Sequence, residues 1–365
     1  MSGSIRIGTI AGIGIFVHWT FWVFFIFLAF TFWGRSADPW QAIEALLFIL
    51  AVFGCVVLHE LGHALAARQF GVETRDITLL PIGGVARLER IPEEPLQELW
   101  IAAAGPLVNV AIAAVLYFVQ PKAAGQLAAE GLLAPESFWN SLMRVNIFLV
   151  LFNLLPAFPM DGGRILRAAL AMRMSHWRAT EVAASVGKVM AVLFALAGLF
   201  GNFMLLFIAL FVYLGAEGES QLARMNNLLA GIPVRDGMIT DFSVLRPEDT
   251  LKTAIEMLLA GSQQDFPVVA DGQLVGMLSR NRLFQALQQG GQEHLVAEYM
   301  EPVCLTVSPF DALDAVVRDM QQHHCPTVPV VWQDRLVGLV TNDNVVELVT
   351  LRNIFLSRQE SVKTT

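Results

Sequence analysis

The chain has 365 residues and a net charge of −8, and 55% of its residues are hydrophobic while only 15% are charged. Soluble domains carry about 25% charged residues, so this composition, with a mean hydropathy of +0.56, predicts a membrane protein with several spans. The negative charge argues against nucleic acid as a partner. The three cysteines form no CxxC pair, so we expect neither a disulfide framework nor a cysteine-based zinc site.

Long apolar runs predict six membrane-spanning helices within residues 1–216. Each run is near the ~20 residues that a span needs, although the last run is short. The first run is too long for the core of a signal peptide and has no clear small-residue cleavage site, so we expect a retained span. The predicted spans lie at about 13–33, 42–67, 97–119, 139–158, 183–200 and 203–216.

Positive charges indicate which ends of these spans face the cytoplasm. If the N-terminus is inside, most Lys and Arg residues fall on inner segments, from Arg6 through residues 68–90 to residues 164–188. The outer segments hold few of them, among them Arg35 and Lys122. The positive-inside rule therefore predicts that the N-terminus and the C-terminal region are cytoplasmic.

Residues 71–95, after the second predicted span, are typical of neither a span nor a plain loop. The sequence from Ile77 to Arg87 contains two short β runs around Pro81 and the Gly83-Gly84 pair. A β hairpin near the second and third spans is one interpretation. Composition alone favours a simple cytoplasmic connection about equally.

The C-terminal part contains an internal repeat. Residues 234–283 align without gaps on residues 296–345, an offset of 62, and the motifs Pro-Val-Val and Leu-Val-Gly recur in both copies. Each copy is predicted to run strand, helix, strand, strand, helix. Because one copy is small for an independent core, two copies are expected to pack together.

The repeat resembles a tandem pair of cystathionine β-synthase-type modules, or CBS domains. That resemblance implies an adenine nucleotide between the copies, control of the attached domain, and homodimers formed through the pair. The family often has Asp at a ribose-contacting position where this chain has Arg282 and Asn344, although Asp343 is adjacent. A structural or dimerisation module without a nucleotide is the alternative.

The second predicted span ends in a motif that can bind a metal. His59 and His63 lie one helical turn apart on the same face, so both imidazoles can bind one zinc ion. Glu60 lies beside them and is a candidate general base for the attacking water. Because an ionisable side chain at the centre of a spanning helix costs roughly 2.5–3.5 kcal/mol, we expect these side chains to have a function.

Two histidines leave a catalytic zinc ion one protein ligand short. Asp161 is the best candidate for the third ligand, because Pro156 and Pro159 should break the fourth predicted span just before it. The glycines at 162 and 163 let the backbone approach closely. Broken backbone at membrane depth is tolerated where it is buried or lines a wet cavity.

The motif HELGH at 59–63, together with NLLPAFPMDGG at 153–163, resembles the site-2 proteases, which are zinc metalloproteases acting inside membranes. The resemblance covers roughly residues 10–215, and prokaryotic members with a CBS pair match the whole chain. It implies substrates that are transmembrane segments of membrane-tethered proteins. The implied roles are zinc ligands for His59, His63 and Asp161, a catalytic base for Glu60, and substrate-positioning or interhelical hydrogen bonds for Asn109 and Asn153.

The predicted fold is therefore a polytopic α-helical membrane domain of about six spans followed by an α/β tandem CBS domain, in a prokaryotic cell membrane. A CBS-regulated transporter is one alternative function, since intramembrane His and Glu can form an ion path, but the spans show no inverted repeat. An inactive relative that binds membrane partners is another. The expected domains are 1–216 for the protease, 217–230 for a linker, 231–290 and 293–350 for the CBS copies (231–350 in all), and 351–365 for a tail.

Overall fold

A computed structural model describes residues 3–35, 39–81, 83–88, 94–119, 137–289 and 291–363. The chain divides into two compact units, Met1–Ala223 and Arg224–Thr365. The division falls a few residues beyond the expected end of the membrane domain at 216. Arg90 and Lys122, used above to orient the spans, lie outside the described residues.

The N-terminal unit begins with a four-stranded sheet of order β1-β2-β3-β4. β2 pairs parallel with β3, and the other two pairs are antiparallel. The β3–β4 pair is the hairpin that the sequence allowed after the second span, and β4 lies at an edge of the sheet. The strands are β1 (Ser4–Ile10), β2 (Ile13–His18), β3 (Thr74–Leu80) and β4 (Gly83–Leu88).

The prediction that the first span starts at residue 13 is wrong. Ile13, Ile15 and Val17 are buried with less buried residues between them, which is the period of a strand. The helix begins only at Trp19. A continuous apolar run does not by itself distinguish a buried strand from the first turns of a helix, so the sequence merged the two.

Seven helices follow among the described residues of the N-terminal unit, and four of them are long and apolar enough to cross a membrane: α2, α3, α6 and α7. α1 is apolar but shorter, and α4 has 16 residues. Large side chains on these helices are exposed, with Phe200 at 90%, as lipid-facing residues would be. The helices are α1 (Trp19–Arg35), α2 (Pro39–Gln69), α3 (Pro95–Val119), α4 (Phe138–Asn153), α5 (Asp161–Ala171), α6 (His176–Phe200) and α7 (Met204–Leu229).

The fourth predicted span is broken, as expected, and the break is an irregular segment and not a single kink. α4 ends at Asn153, residues 154–160 are irregular, and α5 begins at Asp161. The irregular segment folds back over the start of α5, since a Cβ on Gly163 would lie 2.7 Å from the carbonyl carbon of Ala157. Only glycine permits this approach, which fixes where α5 starts.

Helices cover the expected linker and most of the expected tail. α7 continues through the expected linker to Leu229, which is buried in a hydrophobic core of the C-terminal unit. The final helix, α12 (Asn342–Lys363), includes most of the expected tail. Most residues of 217–229 are Glu, Leu, Gln, Arg or Met, which are strong helix formers, and the segment has no proline, so the helix continues.

The C-terminal unit is built from the two predicted copies. Each has a two-stranded antiparallel sheet, and the unit has two hydrophobic cores. Each core also includes residues from the start of the other copy, Ile232 and Val234 in one core and Val296 in the other. Equivalent residues pair in both copies: the parallel bridge Leu245–Val268 recurs 62 residues later as Val307–Val330. The elements are α8 (Leu251–Ala260), β5 (Phe266–Ala270), β6 (Gln273–Leu278), α9 (Arg280–Gln289), α10 (Val296–Tyr299), α11 (Leu313–His323), β7 (Thr327–Trp332) and β8 (Arg335–Thr341).

The expectation that the cysteines form no disulfide is wrong. Cys304 and Cys325 are joined, with their Cα atoms 6.4 Å apart, and Cys55 is free and buried. The two residues are 21 positions apart in sequence, and α11 lies between them. Their approach depends on how α11 packs in the second copy, which spacing alone does not reveal.

A buried ion cluster holds four helices of the N-terminal unit together. Arg167 of α5 donates from Nε to Oε1 of Glu98 on α3 at 2.7 Å, and from Nη1 to Oε2 of Glu219 on α7 at 2.9 Å. His176, at the start of α6, contacts the other oxygen of Glu98 at 3.3 Å. The Arg167 guanidinium also lies over the Phe158 ring, so it fixes both α5 and the irregular segment before it.

Replacing Arg167 with Met should strongly destabilise the N-terminal unit. The change leaves the buried carboxylate of Glu98 without its strongest partner, and loss of one member of a buried ion pair costs about 3–5 kcal/mol. The measurement is the thermal unfolding midpoint of the purified protein in detergent. Arg173→Met, at an exposed position just beyond α5, is the matched control and should change little. Equal midpoints for the two variants would contradict a structural role for the cluster.

Candidate metal centre

Three buried side chains converge between α2 and α5. His59 and His63 project from one face of α2, and Asp161 is the first residue of α5. The Nε2 atoms of the two histidines are 3.1 Å apart, and each is 3.2 Å from Oδ2 of Asp161. Their exposed fractions are 6%, 5% and 8%. Among the described residues, these three form the one group of His, Cys, Asp or Glu side chains arranged to hold a metal ion.

The third wall of the site is α3, which approaches closely because it carries glycine. A Cβ on Gly105 would collide with the Nε2 atoms of both histidines. On the facing helix, a Cβ on Gly62 would lie 2.9 Å from the carbonyl oxygen of Ala104. Small residues at both positions let α2 and α3 pack backbone to backbone, as in other helix pairs within membranes.

The backbone of α3 sets the protonation of His63. Its Nδ1 lies 2.7 Å from the carbonyl oxygen of Ile101, which can only accept a hydrogen bond. Nδ1 must therefore carry the proton. In the neutral ring, Nε2 then presents a lone pair toward the site.

A chain of two amides sets the protonation of His59 in the same way. Asn146 of α4 donates from Nδ2 to the carbonyl oxygen of Leu142 at 2.9 Å, so its Oδ1 is free to accept from Nδ2 of Asn109 at 2.9 Å. The Oδ1 of Asn109 then faces Nδ1 of His59, which must donate. Since the chain starts at a carbonyl that only accepts, the direction of every bond is fixed, and Nε2 of His59 also presents a lone pair.

This arrangement fits a bound cation. Three electron pairs, from two imidazoles and one carboxylate, point at one another across about 3.2 Å and would repel without a positive charge between them. Tetrahedral ligands at ~2.0–2.1 Å from zinc are separated by about 3.3 Å. The donor set of two nitrogens and one oxygen is also one that zinc accepts.

Glu60 lies beside the three converging side chains and against the edge strand. Its Oε2 accepts a hydrogen bond from the backbone N–H of Ala86 on β4 at 3.3 Å. A Cβ on Gly84 would lie 2.7 Å from Cγ of Glu60, so the strand approaches the helix because this position has no side chain. The carboxylate therefore stays outside the group of three and faces the hairpin.

The two predicted asparagines differ in their contacts. Asn109 is fully buried and hydrogen-bonded to His59 and Asn146 on neighbouring helices. These contacts favour an interhelical hydrogen bond over substrate positioning as its role. Asn153 ends α4, is half-buried, and makes no side-chain hydrogen bond with the part of the chain that the structure describes. Asn146 is the residue that sequence reasoning missed, although an amide within an apolar predicted span was a visible signal.

The C-terminal unit contains a second concave site, a cavity of about 690 Å³ lined by both CBS-like copies. Arg280 supplies a cationic side chain to its lining, and Asp265 an acidic one. Arg282, at one of the positions where Asp contacts ribose in the family, instead donates to the carbonyl oxygen of Tyr299 at 3.3 Å. The other lining residues include Ser279, Cys304, His324, Cys325, Thr327 and Asn342.

Comparison with known proteins identifies the family. The sequence profile of peptidase family M50 matches residues 47–128 and 121–197, and the CBS domain profile matches residues 229–289 and 296–351. A zinc metalloprotease of Methanocaldococcus jannaschii is 35% identical over 353 residues, which cover 96% of this chain and 97% of that protein. Rip3 of Mycobacterium tuberculosis is 29% identical over 373 residues, which cover 96% of this chain and 93% of its own.

A solved structure, the site-2 protease from Methanocaldococcus jannaschii, is 40% identical and covers 60% of this chain and 95% of its own, with a TM-score of 0.44. The full-length relative carries the assignment, since identity of 35% extends through both units. The chain therefore belongs to peptidase family M50, the site-2 proteases, and is an integral membrane zinc metalloprotease with a tandem CBS pair.

Proposed function

We propose that the chain cuts transmembrane segments of membrane-tethered proteins at a zinc ion held by His59, His63 and Asp161. The observation that carries this proposal is the convergence of three lone pairs in a buried site among apolar helices. An ion pathway needs a series of polar groups along the spans, whereas these groups converge on one point. The transporter alternative is therefore less well supported.

The protein side chains divide the chemistry between them. A zinc ion bound here supplies Lewis acidity toward the scissile carbonyl and toward the attacking water. Glu60 takes the proton from that water and then gives it to the leaving amine. Asn109 and Ile101 hold the two imidazoles with Nδ1 as the donor, a support that typically contributes 10- to 100-fold to metal affinity.

The substrate must be unwound before it is cut, because helical hydrogen bonds shield its carbonyl groups. β4 offers an edge on which an extended segment can pair. The N–H of Ala86 supports this proposal, since it points away from β3 and toward Glu60. A substrate strand that takes up this N–H would pass next to the proposed base.

We further propose that the N-terminus and the CBS pair face the cytoplasm and that the pair regulates the protease, with an adenine nucleotide as one ligand for its cavity. Arg280 in the cavity lining suits a phosphate. The uninterrupted helix α7 connects the two units along the chain. Homodimers through the CBS pair remain a prediction, as does substrate positioning by Asn153.

Glu60→Gln should abolish most proteolysis while the metal stays bound. Loss of a general base typically costs 10²–10⁴-fold in rate, and the amide keeps the size of the side chain. The measurement is cleavage of a membrane-spanning substrate in detergent or liposomes, with zinc content determined on the same samples. Glu44→Gln, at an exposed position on the same helix, is the control. An unchanged rate in Glu60→Gln would remove Glu60 from the mechanism.

Asn109→Ala should lower zinc affinity by about 10- to 100-fold, because His59 loses the acceptor that fixes its ring. Competition with a chelator measures this affinity, and His63→Ala should lose stoichiometric zinc altogether. Asn227→Ala, at an exposed position in α7, should bind zinc as the unaltered chain does. If Asn109→Ala and Asn227→Ala bound zinc equally, the support proposed for His59 would be wrong.

Ala86→Pro tests the edge strand, because it removes one N–H while Pro remains compatible with an edge position. We expect kcat/KM for a membrane substrate to fall about tenfold or more, because a good hydrogen bond contributes a net ~1.4 kcal/mol, which is a factor of ten. The zinc content should not change. Ala86→Ser keeps the N–H and should retain activity. Equal activities for the two variants would argue against strand pairing.

A further inference from the structure

Cys304 and Cys325 both line the cavity of the C-terminal unit and are bonded to each other. Cys304 is exposed, on the irregular segment between α10 and α11, whereas Cys325 is only 4% exposed and lies two residues beyond α11. Their Cα separation of 6.4 Å is within the usual range of about 4.4–6.8 Å for disulfides. The pair has no part in the zinc chemistry.

The internal repeat gives this pair a counterpart in the first copy. At the offset of 62, Cys325 corresponds to Gln263 and Cys304 to Phe242. Gln263 accepts from the backbone N–H of Ser243 at 2.8 Å and donates to its carbonyl oxygen at 2.9 Å. The first copy therefore joins Gln263 by hydrogen bonds to Ser243, the neighbour of the position equivalent to Cys304, whereas the second copy joins the equivalent Cys325 covalently to Cys304.

We propose that Cys304 and Cys325 form a reversible thiol-oxidation site that reacts with small-molecule disulfides and fixes residues 302–306 at the cavity wall. The first copy keeps its equivalent connection in every redox condition, because amide hydrogen bonds do not respond to oxidants. The second copy keeps it only in the oxidised state. Pro302 and Cys304 contribute to the cavity lining, so the redox state alters the wall of the cavity.

The burial of the two sulfurs assigns them different roles. The exposed Cys304 thiolate attacks a small disulfide such as oxidised glutathione, forming a mixed disulfide and releasing one glutathione thiolate. Cys325 then loses its proton and attacks the Cys304 sulfur, which releases the second glutathione. Two protein thiols are oxidised, one small disulfide is reduced, and the two protons go to the released thiolates.

The proposed cytoplasmic position of the CBS pair explains why such a bond would act as a sensor. Cytosolic disulfides are rare, and those present are usually transient or redox-sensing. The chemistry itself does not depend on that orientation or on proteolysis. It can be measured on the purified chain, so its failure and the failure of the proposed protease function are separate results.

The first experiment equilibrates the full-length protein in detergent with defined mixtures of reduced and oxidised glutathione, then alkylates free thiols and maps them by mass spectrometry. We expect Cys304 and Cys325 to lose alkylation together, in one two-electron transition, with a peptide that links them. Cys304→Ser should leave Cys325 alkylatable in denaturant across the same range. Independent titration of the two thiols, or a glutathione adduct on Cys304 alone, would overturn the proposal.

The second experiment compares amide hydrogen exchange of the oxidised and reduced forms of the unaltered chain, so no variant has to fold. Reduction should speed exchange in residues 302–306 and leave residues 240–244 of the first copy unchanged. Gln263→Ala should do the reverse, loosening 240–244 in both redox states. Equal exchange of 302–306 in the two forms would show that the bond does not fix the cavity wall.

Discussion

The structure depends on the convergence of three electron-rich atoms in a site that apolar helices surround. Two imidazole nitrogens and one carboxylate oxygen cannot be buried about 3.2 Å apart unless a cation neutralises them. Contacts with the neighbouring helices hold the three atoms in this arrangement. Glycine lets α3 approach the histidines. An accepting carbonyl and two amides hold the Nδ1 protons on the far side of each ring from the converging atoms, and the broken span places Asp161.

The three converging side chains were identifiable in the sequence because the signals that indicate them are local. His59 and His63 share a helix, and the prolines and glycines around Asp161 indicate a break wherever they occur. The amide chain through Asn146 was missed, because partners on different helices meet only after packing. The first span was placed too early for a related reason, since an apolar run does not reveal where a buried strand gives way to a helix.

In the C-terminal unit, too, the sequence predicted features that depend on local pattern and missed features that depend on tertiary packing. The repeat predicted two similar copies, and their bridges recur at the predicted offset. Gln263 and Cys325 are equivalent at this offset, and each contacts the irregular segment before the first long helix of its copy, through hydrogen bonds to Ser243 in one copy and a bond to Cys304 in the other. The bond between two cysteines separated by α11 could not be read from their spacing. The second half of α7 lies in the expected linker, where strong helix formers continue the helix to Leu229.

The buried ion cluster connects these observations to the position of Asp161. Arg167 lies on the same short helix as Asp161 and reaches α3 and α7, so the third proposed ligand is held by the helices around it as well as by the irregular segment. We propose that zinc is bound by two histidines and one carboxylate. X-ray absorption at the zinc edge tests it most directly on the purified protein. We expect two imidazole nitrogens and a carboxylate oxygen at about 2.0–2.1 Å from zinc. A sulfur shell at about 2.3 Å, or a shell without imidazole, would contradict zinc binding by these three residues.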